Sequence, residues 1–353
     1  MVSKIGRLEA LRGLAAIYVV IHHTVPSDLK LYGLPIGQLT RFGQEAVILF
    51  FLLSGFVINL SFRLSTDQSF KTYFYKRFFR IYIPLLAVYL VSYLNSSYNA
   101  GEWLSPAVGT LLLNLLMLQD WATSKPHVIV AAYMENNPLW SLSYEWWFYM
   151  LYFPLFTFVK IRKYRDWVVY GTGILSAFLY LYYPAFALRI FMYLLIWWMG
   201  VKLADSYLDG TLHQIKGHFL PAFAISTIIV LSAIGVYVQY DAEQPFSPVR
   251  YPFLELRNFC FALLAYGVAL GLHRVGWRWF DALVSPFIVL APISYVIYII
   301  HWPLATQGQY LEFIENPLLR WCAYVAVVLA VAFIIERGIY PPVRRKLWAW
   351  VNN

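Results

Sequence analysis

Apolar residues run along this chain in long stretches rather than in alternation. They cover 8–24, 44–62, 81–95, 105–119, 140–159, 167–184, 187–205, 219–239, 254–272, 283–303 and 318–336. Runs of this kind predict bilayer-crossing helices, each of which takes about 20 residues. The weakest is 105–119, which is short, opens with Ser105-Pro106 and contains Asn114. It is read as a re-entrant or interfacial segment. Ten spans remain. The predicted fold is all-α and polytopic, one transmembrane domain over residues 1–353 with no separate soluble domain.

Composition narrows the class. The chain is 61% hydrophobic and 13% charged, against about 45–50% and about 25% in soluble proteins. That excludes an ordinary soluble enzyme and a disordered chain. The net charge of +9 does not call for nucleic acid, because Lys and Arg collect in cytoplasmic loops of membrane proteins. The basic clusters are Lys4 with Arg7, the segment 63–80, the loop 160–165, and Arg337 with Arg344, Arg345 and Lys346. Placing all of them inside predicts two cytoplasmic termini. It leaves seven basic residues outside: Lys30, Arg41, Lys125, Arg189, Arg250, Arg257 and Arg320. No cleavage site follows the first apolar stretch, so it is read as a retained helix. Cys260 and Cys322 lie inside apolar runs and imply no disulfide framework.

Ionisable residues at membrane depth are costly and mark function by default. Arg12 and His23 are eleven positions apart, so they share one stripe of the first helix within about 20°. They lie about 16.5 Å apart along its axis. His22 is rotated away from that stripe. Ser141 and Glu145 share a face at a spacing of four, and Ser141 also suits an N-cap. Arg77 and Arg80 are one turn apart. Paired guanidinium groups suit phosphate, and snorkelling anchors are the plainer use. His301, beside Trp302-Pro303, fits an interfacial aromatic belt when taken alone. The topology puts Arg12, Arg77 and Arg80 near the cytoplasmic face and His23, Glu145 and His301 near the outer face. No metal-ligand set is read, and outer-loop acids such as Asp241 and Glu243 are scattered.

These residues fall in an order that resembles acyltransferase family 3. The matching stretches are Arg7 to Gly13 followed by His23, carrying the family's Arg/Lys-x10-His signature, then Leu49 to Phe56 with Ser54. Arg77-x-x-Arg80 follows, then Trp140-Ser141-Leu142 through Glu145 and Phe148-Tyr149, and last Tyr298 to Pro303 with His301. Ile48 departs from the family, which often has a polar residue there. The resemblance implies a stand-alone enzyme of the bacterial inner (cytoplasmic) membrane with ten core helices. It would pass an acyl group, commonly acetyl, from cytoplasmic acyl-CoA to a hydroxyl of a surface or exported glycan, free or lipid-linked. O-antigen and exopolysaccharide are such acceptors. Acyl-CoA is then a substrate, and no permanently bound cofactor is expected.

Under that resemblance His23 is the expected base and Glu145 the group that orients its imidazole. Arg12, Arg77 and Arg80 bind the donor phosphates. His22, Ser54, Trp140, Ser141, Tyr149 and His301 support the site. The competing class is a proton-coupled exporter of an envelope glycan precursor, which would also use membrane-embedded Arg, Glu and His.

Overall fold

The computed structural model describes residues 4–30, 32–240 and 247–352. Asp241 and Glu243 lie outside them. The long helices are α1 (Lys4–Thr24), α2 (Gly43–Arg63) and α3 (Phe70–Ala100), then, after α4 (Val108–Leu115), α5 (Trp140–Phe158), α6 (Arg162–Tyr180), α7 (Phe186–Leu208), α8 (Phe219–Gln239) and α9 (Phe253–Val275). A broken helical segment follows, made of α10 (Arg278–Val284), a 3-10 stretch (Ser285–Ile293), α11 (Ser294–His301) and a π-helical turn (Trp302–Thr306). The chain closes with α12 (Pro317–Phe333), a second π-helical turn (Ile334–Ile339) and α13 (Tyr340–Asn352).

Among the described residues, seven helical stretches are long and apolar enough to cross a membrane. Three of the ten expected spans fall short of that standard. Charges in α1 and α6, and Ser, Tyr, Trp and Glu145 in α5, dilute their apolar residues. α1 and α5 are also the helices that carry most of the candidate chemistry. The 105–119 run forms only the eight-residue α4, about 12 Å long against a core of about 30 Å. Asn114 anchors it, accepting from the Tyr133 N–H at 2.9 Å and donating to Ala131 O at 3.0 Å. The all-α expectation holds, with one small exception in the loop that follows α4. Gln119–Asp120 (β1) and Val130–Ala131 (β2) form a two-residue parallel bridge.

The tightest crossing joins α2 to α7, and glycines permit it. A Cβ on Gly55 would lie 1.9 Å from Trp197 O, and one on Gly200 would lie 2.0 Å from Leu52 O. Without a hydrophobic force between helices in lipid, such close backbone contact is what holds a pair together. Gly200→Val is therefore expected to destabilise the protein by at least about 1–3 kcal/mol. Thermal unfolding in detergent measures it, and an unchanged midpoint would contradict the close crossing. Gly13 does the same for α1, where a Cβ would meet Phe287 O at 2.1 Å. That contact seats the neighbouring Arg12 against the 3-10 stretch.

Prolines explain the broken segment. Pro286 and Pro292 fall in the 3-10 stretch and Pro303 in the π turn. Proline lacks an N–H and clashes with the carbonyl four residues back. The carbonyl that Pro303 leaves unbonded is Ile299 O, and Asn136 Nδ2 donates to it at 2.9 Å. The break thus ties the loop before α5 to the end of α11, where His301 sits.

Candidate functional site

Three adjoining cavities run through the helices that carry the candidate residues. The first is a basic mouth of about 900 Å³ lined by Arg12, Arg80, Arg337, Arg344 and Arg345, with Glu9 and Glu336. The second, of about 210 Å³, is lined by Arg12, Lys76, Arg77, Arg80, Ser54, Ser141, Glu145, Tyr149 and Tyr298 among others. The third, of about 10 Å³, lies beside His23 among Trp121, Trp140 and Trp302. Arg12 and Arg80 belong to both the mouth and the middle cavity. Val47 and Tyr298 belong to both the middle cavity and the histidine cavity.

The helices explain this placement. α1 is continuous from Lys4 to Thr24, so the stripe carrying Arg12 and His23 spans the sequence of cavities. α3 is N-capped by Ser69, whose Oγ accepts from Thr72 N at 3.3 Å. The basic segment before the expected third span is therefore helical, and Arg77 and Arg80 project one turn apart into the middle cavity. Arg80 donates to Glu336 at 2.5 Å and lies over the Tyr295 and Tyr340 rings. Arg77 Nη2 donates to Ser61 Oγ at 3.2 Å, and Arg77 Nε has no partner among the described residues.

Glu145 does not stand behind His23, which corrects the expected base–orienter pair. Ser54 Oγ donates to Glu145 Oε1 at 2.6 Å, and Tyr149 OH donates to the same oxygen. Trp197 Nε1 donates to Ser54 Oγ at 3.2 Å. The carboxylate is thus held in the middle cavity by α2, α5 and α7. Ser141 is no helix cap either. Its hydroxyl meets Tyr298 OH at 2.7 Å, and Tyr298 OH donates to Pro138 O at 2.8 Å. Ser141 therefore links α5 to α11 at the wall between the middle and histidine cavities.

His23 is instead surrounded by rings. His301 stacks on it at 5.4 Å, Trp302 stands edge-on at 4.8 Å, and His22 meets it at 4.5 Å. His301 is 0% exposed, so it does not belong to an interfacial belt. His301 Nδ1 lies 2.7 Å from Tyr298 O, and His22 Nδ1 lies 2.6 Å from Thr40 O. A carbonyl oxygen only accepts, so both Nδ1 atoms carry hydrogen. His301 Nε2 has no partner among the described residues. Of the three histidines, His23 is the one whose ring makes no hydrogen bond to another described residue.

A buried charge cluster missed by the sequence reading supports this end. Lys125 and Arg189, expected as outer-loop charges, have fully buried side chains that pair with Asp120 at 3.0 Å each. Tyr144 OH donates to Asp120 Oδ2 at 2.8 Å. Lys125 Nζ lies 3.5 Å from the centre of the Trp140 ring, a cation–π contact. Burial lowers Lys125 to about 8 despite the attraction of Asp120. Burial opposes ionisation of Asp120, but Lys125 and Arg189 together outweigh it and hold its pKa below the usual carboxylate range. The cluster fixes Trp140 against the histidine cavity. The two cysteines, Cys260 and Cys322, are free.

Comparison with known proteins agrees with the family resemblance. A family model described as Acyltransferase domain matches residues 5–337. The chain is 33% identical over 168 residues to the acyltransferase MdmB of Streptomyces mycarofaciens, a stretch covering 46% of this chain and 41% of that protein. No solved structure matches it.

Proposed function

Since the chain belongs to acyltransferase family 3, an acyl-transferring membrane enzyme, we propose that it moves an acyl group, most simply acetyl, from cytoplasmic acyl-CoA to a glycan hydroxyl on the other side of the bacterial inner membrane. The observation that carries this reading is the chain of adjoining cavities from a cluster of arginines to His23, with Arg12 and His23 on one helix. The donor's phosphates sit at Arg12, Arg77 and Arg80, where guanidinium groups bind phosphate bidentately. Its extended arm lies in the middle cavity and brings the thioester towards His23. The histidine cavity has room for about one water-sized group, so it admits the reacting hydroxyl and not a whole sugar ring. Trp121 and Trp302, both half-buried at this cavity, offer faces on which the ring can rest.

In the reaction the hydroxyl oxygen attacks the thioester carbonyl carbon and the C–S bond breaks. The hydroxyl proton passes to His23, the side-chain type most often used as a general base. It then goes to the departing CoA sulfur, giving a glycan ester and free CoA. Glu145, held by Ser54 and Tyr149, accepts from an amide N–H of the donor's arm. Glu145→Gln is then expected to raise the KM for acyl-CoA about tenfold, the scale of one hydrogen bond to a charged group. A fall in kcat at unchanged KM would return Glu145 to a role at the base.

The function is tested by supplying the purified protein with radiolabelled acetyl-CoA and an envelope glycan fraction. Label in base-labile glycan esters is the expected result. Uptake of glycan with no ester formed would instead support the exporter.

A further inference from the structure

Five arginines line the basic mouth, and Arg80 alone among them is ion-paired to a described residue, Glu336. Arg12 and Arg80 form the neck into the middle cavity. The other three, Arg337, Arg344 and Arg345, line the mouth alone and come from the last π-helical turn and α13. Read as a sequence, they are topogenic charges of a cytoplasmic basic cluster. The structure gives them a second property.

Arg337, Pro341, Arg344, Arg345 and Trp348 recur at three- and four-residue spacings, so they share one helix face. That face lines the cavity. Trp348 stands edge-on to Phe79 at 6.0 Å, and Arg80 lies over the Tyr340 ring at 5.4 Å. α13 is thereby seated on α3 with its arginines turned to the same space as Arg12. The volume of about 900 Å³ falls within the usual range of small-molecule sites, about 300–1,000 Å³. Arg344, Arg345 and Trp348 also lie beyond the family match, which ends at residue 337.

The order of the cavities matches the order of groups along an acyl-CoA. The thioester lies towards His23, the arm in the middle cavity and the pyrophosphate at the Arg12–Arg80 neck. What then remains outside the neck is the adenosine with its 3′-phosphate. We infer that α13 is the part of the donor site that reads this phosphate, through Arg344 and Arg345, with the Trp348 indole beside the nucleoside. The inference rests on the donor reading above. It adds a specificity element: a dianionic phosphomonoester distinguishes CoA from its dephosphorylated form, and a pair of unpaired guanidinium groups can bind it.

Anionic lipid headgroups offer similar chemistry to a basic helix at a membrane surface. The experiment therefore compares acetyl-CoA with acetyl-3′-dephospho-CoA, on the wild type and on an Arg344→Ala/Arg345→Ala variant, in vesicles with and without anionic lipid. Both arginines are exposed, so the variant is expected to fold. The wild type should bind the dephospho donor about tenfold or more weakly, the scale of a charge-assisted contact. In the variant that preference should vanish in both lipid mixtures. A preference that survives in the variant, or is absent from the wild type, overturns the inference while leaving acyl-CoA as donor. A variant defect that appears only with anionic lipid also overturns it and assigns α13 to the membrane surface. Failure of the wild type to bind either donor removes the donor reading, and this inference with it.

Discussion

His23→Ala is expected to reduce acyl transfer by about 10²–10⁴-fold, the usual worth of a positioned general base. Donor binding should persist, because Arg12 lies about three turns of α1 away and Arg77 and Arg80 are on α3. The effect should fall on kcat. His23 packs against His22, His301 and Trp302, so truncation opens space beside three rings, and the variant's unfolding midpoint must be measured alongside its rate. His23→Gln keeps most of the volume and serves as the control. Loss of activity in both variants, with a retained fold, assigns the loss to proton transfer. Full activity in a folded His23→Ala would remove the base assignment and turn attention to His301, whose Nε2 is unbonded and whose ring is stacked on His23.

Asp120→Ala is expected to cost about 3–5 kcal/mol of stability, because it leaves buried cations without their carboxylate. The side chains of Asp120, Lys125 and Arg189 are 0% exposed. The substitution also frees the Tyr144 hydroxyl. Removing Lys125 in the same chain, as Asp120→Ala with Lys125→Met, should recover part of the loss, since one stranded cation goes with its partner. That non-additivity is the mark of a direct pair. A single variant as stable as wild type would mean that the cluster does not hold the loop. Because Lys125 lies against Trp140, the destabilised variant should also lose activity at temperatures where it remains folded.

The helices were legible because an apolar run of span length has few other uses. The Arg12–His23 stripe was legible for a similar reason, since helical periodicity fixes which residues share a face. Contacts between helices were not. Nothing local to Glu145 points to Ser54, 91 positions away, so the carboxylate was assigned to the histidine at similar expected depth. His301 looked like a belt residue because it stands beside Trp and Pro near a helix end. It is buried because Pro303 breaks the helix and Asn136 takes the carbonyl that the break leaves free. Lys125 and Arg189 share one cause of error. Charges in loops and at helix ends satisfy the positive-inside pattern whatever else they do, so a second role leaves no mark in the sequence. Arg189 and Asp120 are 69 residues apart, and their pairing depends on how α7 packs beside β1.

In the proposed function one route through the protein joins a donor on one face to an acceptor on the other. Proteoliposomes with glycan trapped inside and radiolabelled acetyl-CoA added outside test it most directly. Labelled, base-labile esters on the trapped glycan are expected, with the released CoA thiol remaining outside and no labelling in His23→Ala vesicles. Esters formed only when donor and glycan share a compartment would contradict it.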